Sequence, residues 1–294
     1  MTVYYVGAGG NDGNSGLTWA LRKLTLNGAE DVPVVAGDTV YVAPGVYRET
    51  LTVDVSGGAG TPITYIGDYR GVYTDGVGGV VRITGSDDDL TPARNNCIEH
   101  AAAKSYRTFR GFAFDTIISY CLSLTDPISL ILDGCIFDYG GGNIIYIAGA
   151  NQLNCTITNC YFRCGVSDSP IRILHAAVVD DSGHLISNCI FTSGGGIIID
   201  RVGGITCKNC TFDGRFNVAI KVGFALNAGQ LETVNNCIFS GCIVGLQATV
   251  LGEIIENYNS FFEVLTPRTN VAVGANSNTT PPLYDTRWFF EMTK

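Results

Sequence analysis

Four side chains spread along the middle of the chain, Tyr146, Arg172, Asp200 and Lys221, are of the types that hold a sugar. A sugar ring stacks on the apolar body of such a side chain, and its hydroxyls bond to charged groups. These four are the expected ligand-binding residues. Asp115 and Asp138 offer a different chemistry, because a pair of carboxylates serves a glycosidase as acid and as base or nucleophile. Both sit where ordinary solvating residues end a strand, so no catalytic residue is assigned. Cys207-x-x-Cys210 has the spacing of half a zinc site, yet no second pair follows at the usual distance. His100, His175 and His184 show no ligand spacing, and the runs Asp87-Asp88-Asp89 and Asp180-Asp181 lie in Gly/Ser-flanked loops. No metal and no cofactor is therefore expected.

The elements that must position these residues are written in a repeated phrase. It reads Asn159-Cys160-Tyr161-Phe162, Asn188-Cys189-Ile190-Phe191, Asn209-Cys210-Thr211-Phe212 and Asn236-Cys237-Ile238-Phe239. Weaker copies end at Phe114, Phe137 and Phe262, so the period is 21 to 29 residues. One unit of that length cannot bury its apolar face alone and must stack on its neighbours. Apolar residues alternate around each phrase, as in Ile157, Cys160 and Phe162, and the Asn or Gly between short runs marks a bend. Another strand follows after a polar link, at Ile145/Ile147, Ile171/Ile173, Ile197/Ile199 and Ile220/Val222. Short strands in each coil, with almost no helical pattern, predict an all-β, single-domain parallel β-helix.

Composition agrees. The 294 residues include 37 Gly, and charged residues make up only 15 %, as suits short strands and tight turns. The net charge of −9, without clustered Lys or Arg, excludes a phosphate-binding face, so no nucleic-acid partner is expected. No run approaches the roughly 18–20 apolar residues of a membrane span. Of eleven Cys, five (Cys135, Cys160, Cys189, Cys210 and Cys237) share one place in the repeat. They are expected to form an inward ladder of reduced, buried thiols, from a chain folded in a reducing cytoplasm. Met1 to Val6 runs straight into a strand with no basic leader, so no export signal is expected.

The opening segment carries Tyr4-Tyr5-Val6, the turn Gly10-Asn11-Asp12-Gly13-Asn14-Ser15-Gly16 and then Gly37-Asp38-Thr39-Val40-Tyr41-Val42. Pro44-Gly45-Val46-Tyr47-Arg48-Glu49 and Gly60-Thr61-Pro62-Ile63-Thr64-Tyr65-Ile66-Gly67 complete it. This series resembles the start of the right-handed parallel β-helix proteins of the pectin-lyase-like superfamily. The resemblance implies a right-handed coil whose first turn is plugged by a short amphipathic helix. It does not decide activity, because the superfamily includes lyases, hydrolases, epimerases, adhesins and phage tail proteins. Its lyases use an Arg or Lys base beside Ca²⁺-binding carboxylates. Arg172 or Lys221 would be the base here, but Asp200 is the one acidic neighbour, too few for calcium.

The chain is accordingly divided into an N-terminal cap with the first coils (1–67), the coils proper (68–263) and a C-terminal cap or partner-docking tail (264–294). Leu17, Leu21 and Leu24 share one helical face and are expected to form the first cover. Pro281 to Tyr284 and Trp288 to Phe290 are expected to form the second. The outward residue of each phrase gives the stripe Ala113, Ile136, Tyr161, Ile190, Thr211, Ile238 and Phe261, apolar enough to predict side-by-side assembly as a homo-oligomer, a trimer for preference. The expected function is that of a structural or adhesive β-helix protein of a phage virion or cell surface, binding glycans. A secreted polysaccharide lyase or glycoside hydrolase is the alternative.

Overall fold

The Asn of each phrase turns the chain. Asn159, Asn188, Asn209 and Asn236 have φ of 55°, 55°, 56° and 55°, and Gly111 and Gly134 take the same place at 72° and 62°. This left-handed region is open to Gly and tolerated by Asn, which explains why the phrase begins with one or the other. The backbone N–H of each corner donates to the next coil, as from Asn159 to Ser187 and from Asn188 to Lys208, both at 3.1 Å. The side-chain amides continue the stack: Asn209 donates to Asn188 at 3.2 Å and Asn236 to Asn209 at 2.8 Å. After the corner the chain enters a strand of a different sheet.

The computed structural model describes residues 1–31, 34–100, 104–139, 143–165, 169–179, 182–223 and 231–279. Three parallel sheets enclose one core. Sheet 1 has ten strands from Val3–Val6 to Ile254–Asn257, sheet 2 has nine from Gly45–Tyr47 to Ser260–Phe262, and sheet 3 has nine from Leu51–Val53 to Thr266–Thr269. Successive coils contribute adjacent strands in register, for instance Phe137 opposite Phe162 and Phe162 opposite Phe191. Register carries each column of inward residues from coil to coil. Phe137, Phe162, Phe191 and Phe212 stack with ring centroids 4.7 Å apart, and Phe239 and Phe261 extend the column at 5.0 and 4.9 Å. Each such ring is fully buried, worth about 1.5–3 kcal/mol, with about 0.5–1.5 kcal/mol more for each stacked pair. The Cys ladder lies beside it, and the ten cysteines with described side chains are all free and buried.

Three expectations need correction. In the last coil Phe261, not Phe262, continues the Phe column, and Ser260 stands opposite Ile238. The corner there is Tyr258 at φ 56°, so the final copy is one residue short of the assumed alignment. Phe261 is thus core rather than part of the outward stripe. Leu17, Leu21 and Leu24 do not form a cover, since they stay about half exposed. The helix that packs here, α1 (Leu26–Asp31), is six residues long and buries Leu26 and Ala29 instead. The C-terminal aromatic segment lies outside the described residues.

Two places in the stack, one in the early coils and one at the last described coil, put charge where other coils place apolar side chains. Arg107 points inward with no exposure and pairs with Glu30 of α1. Tyr65 also donates its hydroxyl to Glu30, at 2.6 Å. At the far end Glu256 and Arg268 stand opposite Val234 and Leu246. Arg268 lies over the Phe261 ring at 4.4 Å and donates to Glu256 at 2.7 Å. Burial alone would raise the Glu256 carboxyl, but donors from Ser277, Gly274, Asn259 and Arg268 hold it below the usual range. Among the described residues no helix is long and apolar enough to cross a membrane.

Two buried groups make stability depend on pH in opposite directions. Burial, aided by the Glu253 charge, pushes Glu232 up to about 8, so its stabilising contribution is complete at acid pH and lost as pH rises through that value. Burial, with His175 nearby, pushes His184 down to about 4, so its contribution is present above the unfolded value near 6.5 and lost as pH falls towards 4. The melting temperature is expected to peak in mildly acid to neutral solution. Glu232→Gln should remove most of the decline between pH 6 and 9, on the order of 2–4 kcal/mol. Parallel declines in the two proteins would refute this assignment.

Candidate functional site

The outward face of sheet 3 follows from register alone. Glu99, Ser123, Tyr146, Arg172, Ile198, Lys221 and Gln247 stand opposite one another on successive strands. Tyr146 and Arg172 are therefore immediate neighbours, while Ile198 separates Arg172 from Lys221. The Tyr146 ring stacks on Tyr120 at 4.8 Å and 15°, giving a paired aromatic platform. Lys221 is exposed to solvent. Three of the four expected residues thus form one column on a rigid sheet, and Tyr120 is an addition that residue spacing did not reveal.

Asp200 behaves differently. It stands opposite Leu174, outside the column, and its side chain is 4 % exposed against 37 % for Arg172. Its Oδ2 accepts from Arg172 Nε at 3.3 Å and from Nη2 at 3.1 Å. A Cβ on Gly223 would come within 2.1 Å of Asp200 Oδ1, so the glycine leaves the room this carboxylate occupies. Asp200 therefore holds the guanidinium in place instead of meeting a ligand. Among the described residues its partner is thus a guanidinium, which occupies the carboxylate in place of a ligand.

The carboxylate pair on sheet 2 is also committed. Asp115 and Asp138 are neighbours in register, as their spacing predicts. Asp115 accepts from Arg82 at 2.5 Å, and Asp138 accepts from Arg163 at 2.7 Å. Each is thereby tied to its own guanidinium, an arrangement unlike an acid beside a free base. The loop run is held likewise: Asp87 pairs with Arg94, and Asp89 with Arg48 and Arg82. Backbone donors from Thr91 and Leu90 keep Asp88 well below the usual carboxylate range. Asp180-Asp181 lies outside the described residues. Cys207, Cys210 and Cys237 bring their sulfurs within 4.8 Å of one another, all buried, without a fourth ligand joining them among the described residues. Neighbouring thiols and burial push the Cys207 thiol up, so it stays protonated in the core. His184 accepts a hydrogen bond from the Cys155 backbone at 3.1 Å and is a neutral core group.

The chain belongs to the right-handed β-helix family: the model of the right handed beta helix region matches residues 96–262, more than half of the chain. No curated protein matches the sequence. Solved structures do. XylC in complex with xylose aligns at a TM-score of 0.59 with 12 % identity, over 94 % of this chain and 70 % of that one. The GH136 lacto-N-biosidase of Eubacterium ramulus aligns at 0.59 with 12 % identity, over 94 % and 67 %. A rhamnogalacturonan lyase aligns at 0.55 with 18 % identity, over 90 % and 74 %. At such identities the likeness establishes the fold alone.

The anchoring role of Asp200 is testable by denaturant unfolding. Asp200→Asn should cost about 1 kcal/mol or somewhat more, because it weakens a charge-assisted pair at a buried position while Arg172 keeps partial solvent. Lys221→Ala, at a solvated position, should stay within about 0.5 kcal/mol of the parent. Equal losses would show that Asp200 does not anchor Arg172.

Proposed function

We propose that this chain is a glycan-binding, adhesive β-helix subunit of a virion or cell surface, with sheet 3 as its binding face. The observation that carries this reading is the Tyr120–Tyr146 platform directly beside the anchored Arg172. A pyranose stacked on the ring pair would meet a guanidinium whose orientation is already fixed, so little side-chain entropy is lost on binding. Lys221, three strand steps from Tyr146, lies about 15 Å along the face, the span of a tri- or tetrasaccharide. Cationic groups on this column favour an acidic glycan. The commitment of Asp115, Asp138 and Asp200 to arginines weighs against a lyase or hydrolase. The names of the similar structures, which speak of xylose, a lacto-N-biosidase and a rhamnogalacturonan lyase, support a sugar as the ligand class.

The test is to titrate acidic and neutral polysaccharides by calorimetry while following absorbance near 235 nm and reducing ends. Binding of an acidic polysaccharide without turnover is expected. The double variant Arg172→Ala/Lys221→Ala should weaken it at least about tenfold while staying folded, with a modest fall in melting temperature comparable to that of Asp200→Asn because the buried Asp200 carboxylate loses its partner. A rise at 235 nm or release of reducing ends would replace the adhesive reading by the enzymatic one.

Assembly is part of the proposal. Ile136, Tyr161 and Ile190 are 47 %, 36 % and 39 % exposed in one line on sheet 2, an apolar strip that a neighbouring copy would cover. Sedimentation is expected to give a trimer, and Tyr161→Glu/Ile190→Glu to release monomers. A wild-type monomer of 31.3 kDa would remove this part of the proposal.

A further inference from the structure

The corner between sheets 1 and 2 is not uniform along the rod. In the later coils it carries Asn188, Asn209 and Asn236, whose amides fill it. In two earlier coils it carries Gly111 and Gly134, and a Cβ on Gly134 would meet nothing within 4 Å. The missing side chains leave a floor. Above it stands the segment 68–80, held from beneath by Asp68, which is only 3 % exposed. The Asp68 carboxylate accepts from the backbone N–H of Val72, Tyr73 and Thr74 at 2.9, 2.7 and 2.8 Å, and from the Thr74 hydroxyl at 2.9 Å. Tyr73 is braced by stacking on Tyr41 at 4.3 Å and 8°. Tyr69 lies against the Gly111 backbone, 54 % exposed. Between floor and overhang is a cleft of about 490 Å³, with Tyr69 and Tyr73 on one side and Arg110, Asp133 and Asn159 on the other.

The polar side is a built array. Asp133 receives Asn159 Nδ2 at 2.8 Å on one oxygen and faces Arg110 Nε at 3.3 Å on the other. Its charge is thus matched inside the cleft, while the three planar groups keep outward donor and acceptor positions for a ligand. Exposed tyrosine opposite a charge-balanced fork of Arg, Asp and Asn suits a molecule with an apolar ring face and many hydroxyls but no charge. From Gly111 to Asn159 is two coil steps, about 10 Å, enough for two to three sugar units. The geometry points to a second binding site, for a neutral oligosaccharide, in the cleft bounded by Tyr69, Tyr73, Arg110, Asp133 and Asn159. It lies on different sheets from the proposed binding face and stands whether or not that face binds.

The test uses the full chain and four neutral trisaccharides (cellotriose, xylotriose, maltotriose and chitotriose) in calorimetric titrations. At least one is expected to saturate, and Arg172→Ala/Lys221→Ala should bind it as the parent does. Tyr69→Ala should weaken it about tenfold through loss of the ring platform. Gly134→Asn should weaken it at least as much, since it restores the filled corner of the later coils. That variant adopts a backbone conformation already held by four asparagines, so its melting temperature should be no lower than the parent's. Failure of all four sugars to saturate would overturn the proposal. So would unchanged binding in both Tyr69→Ala and Gly134→Asn, or loss confined to Arg172→Ala/Lys221→Ala.

Discussion

Parallel strands stacked in register, about 4.8 Å apart, are the constraint on which everything else in this molecule rests. Side chains alternate along a strand, so a slip of one residue between coils would turn a Phe outward and a charge inward. The corner prevents that slip. Its left-handed residue donates its backbone N–H to the next coil, and the side-chain amides of Asn209 and Asn236 donate back to the Asn of the preceding one. Coil length is then free to vary from 21 to 29 residues, because the extra residues leave through the links and not through the strands. The Phe column is a consequence of this register. Rings 4.7 Å apart at angles of 8–12° can form only if each coil presents its Phe at the same height and azimuth.

A stack so regular has no internal reason to stop, and its ends would recruit further strands. The last described coil solves this by changing chemistry inside the core. Glu256 with Arg268 occupies inward positions on the last strands, where another apolar coil would have to pack, while Glu30 of α1 reaches Arg107 deeper in the stack. A buried pair of this kind contributes little net stability against a hydrophobic replacement, yet breaking it strands a charge. The Glu256–Arg268 pair therefore defines where apolar stacking ends more than it strengthens it. The guanidinium of Arg268 on the Phe261 face completes the same function, offering the last ring a cation in place of another ring.

The repeat made most of this architecture readable before any coordinate. Period, corner residue, inward Cys and Phe and the register of Tyr146, Arg172 and Lys221 all follow from one phrase. The errors arose where the phrase decays. In the last copy Tyr258 takes the corner and Asn259 the Cys place, so matching Phe262 to the motif shifted that coil by one. An inward Glu256 and Arg268 at the places of Val234 and Leu246 were a signal that could have been read from the alignment of coils. The leucine cover fails for a different reason: helical spacing of Leu17, Leu21 and Leu24 does not make a helix, and the chain forms only the three-residue 3-10 turn Trp19–Leu21 there. Strand alternation marks Asp200 outward, but alternation carries no information on the room that Gly223 leaves beside it. The Tyr69 cleft was invisible for a related reason, since it depends on a loop folding back over a corner.

Because packing fixes the inward residues, chemistry in this fold is confined to outward columns and corners. There a single side chain is well solvated and poorly oriented unless something holds it. The molecule supplies that hold in two ways: a buried carboxylate behind Arg172, and a buried carboxylate beneath the segment carrying Tyr69 and Tyr73. In both places an acid is withdrawn from solvent and spent on geometry. An acid so used is unavailable for proton transfer, since its lone pairs are already engaged by fixed donors. Asp115 and Asp138 are paired with Arg82 and Arg163 but are not withdrawn in this way, since Asp138 stays 45 % exposed and one Asp115 oxygen has no partner among the described residues. Asp200 and Asp68 thus act through the groups they orient, which is how a fold with inward-facing packing can fix outward side chains in place.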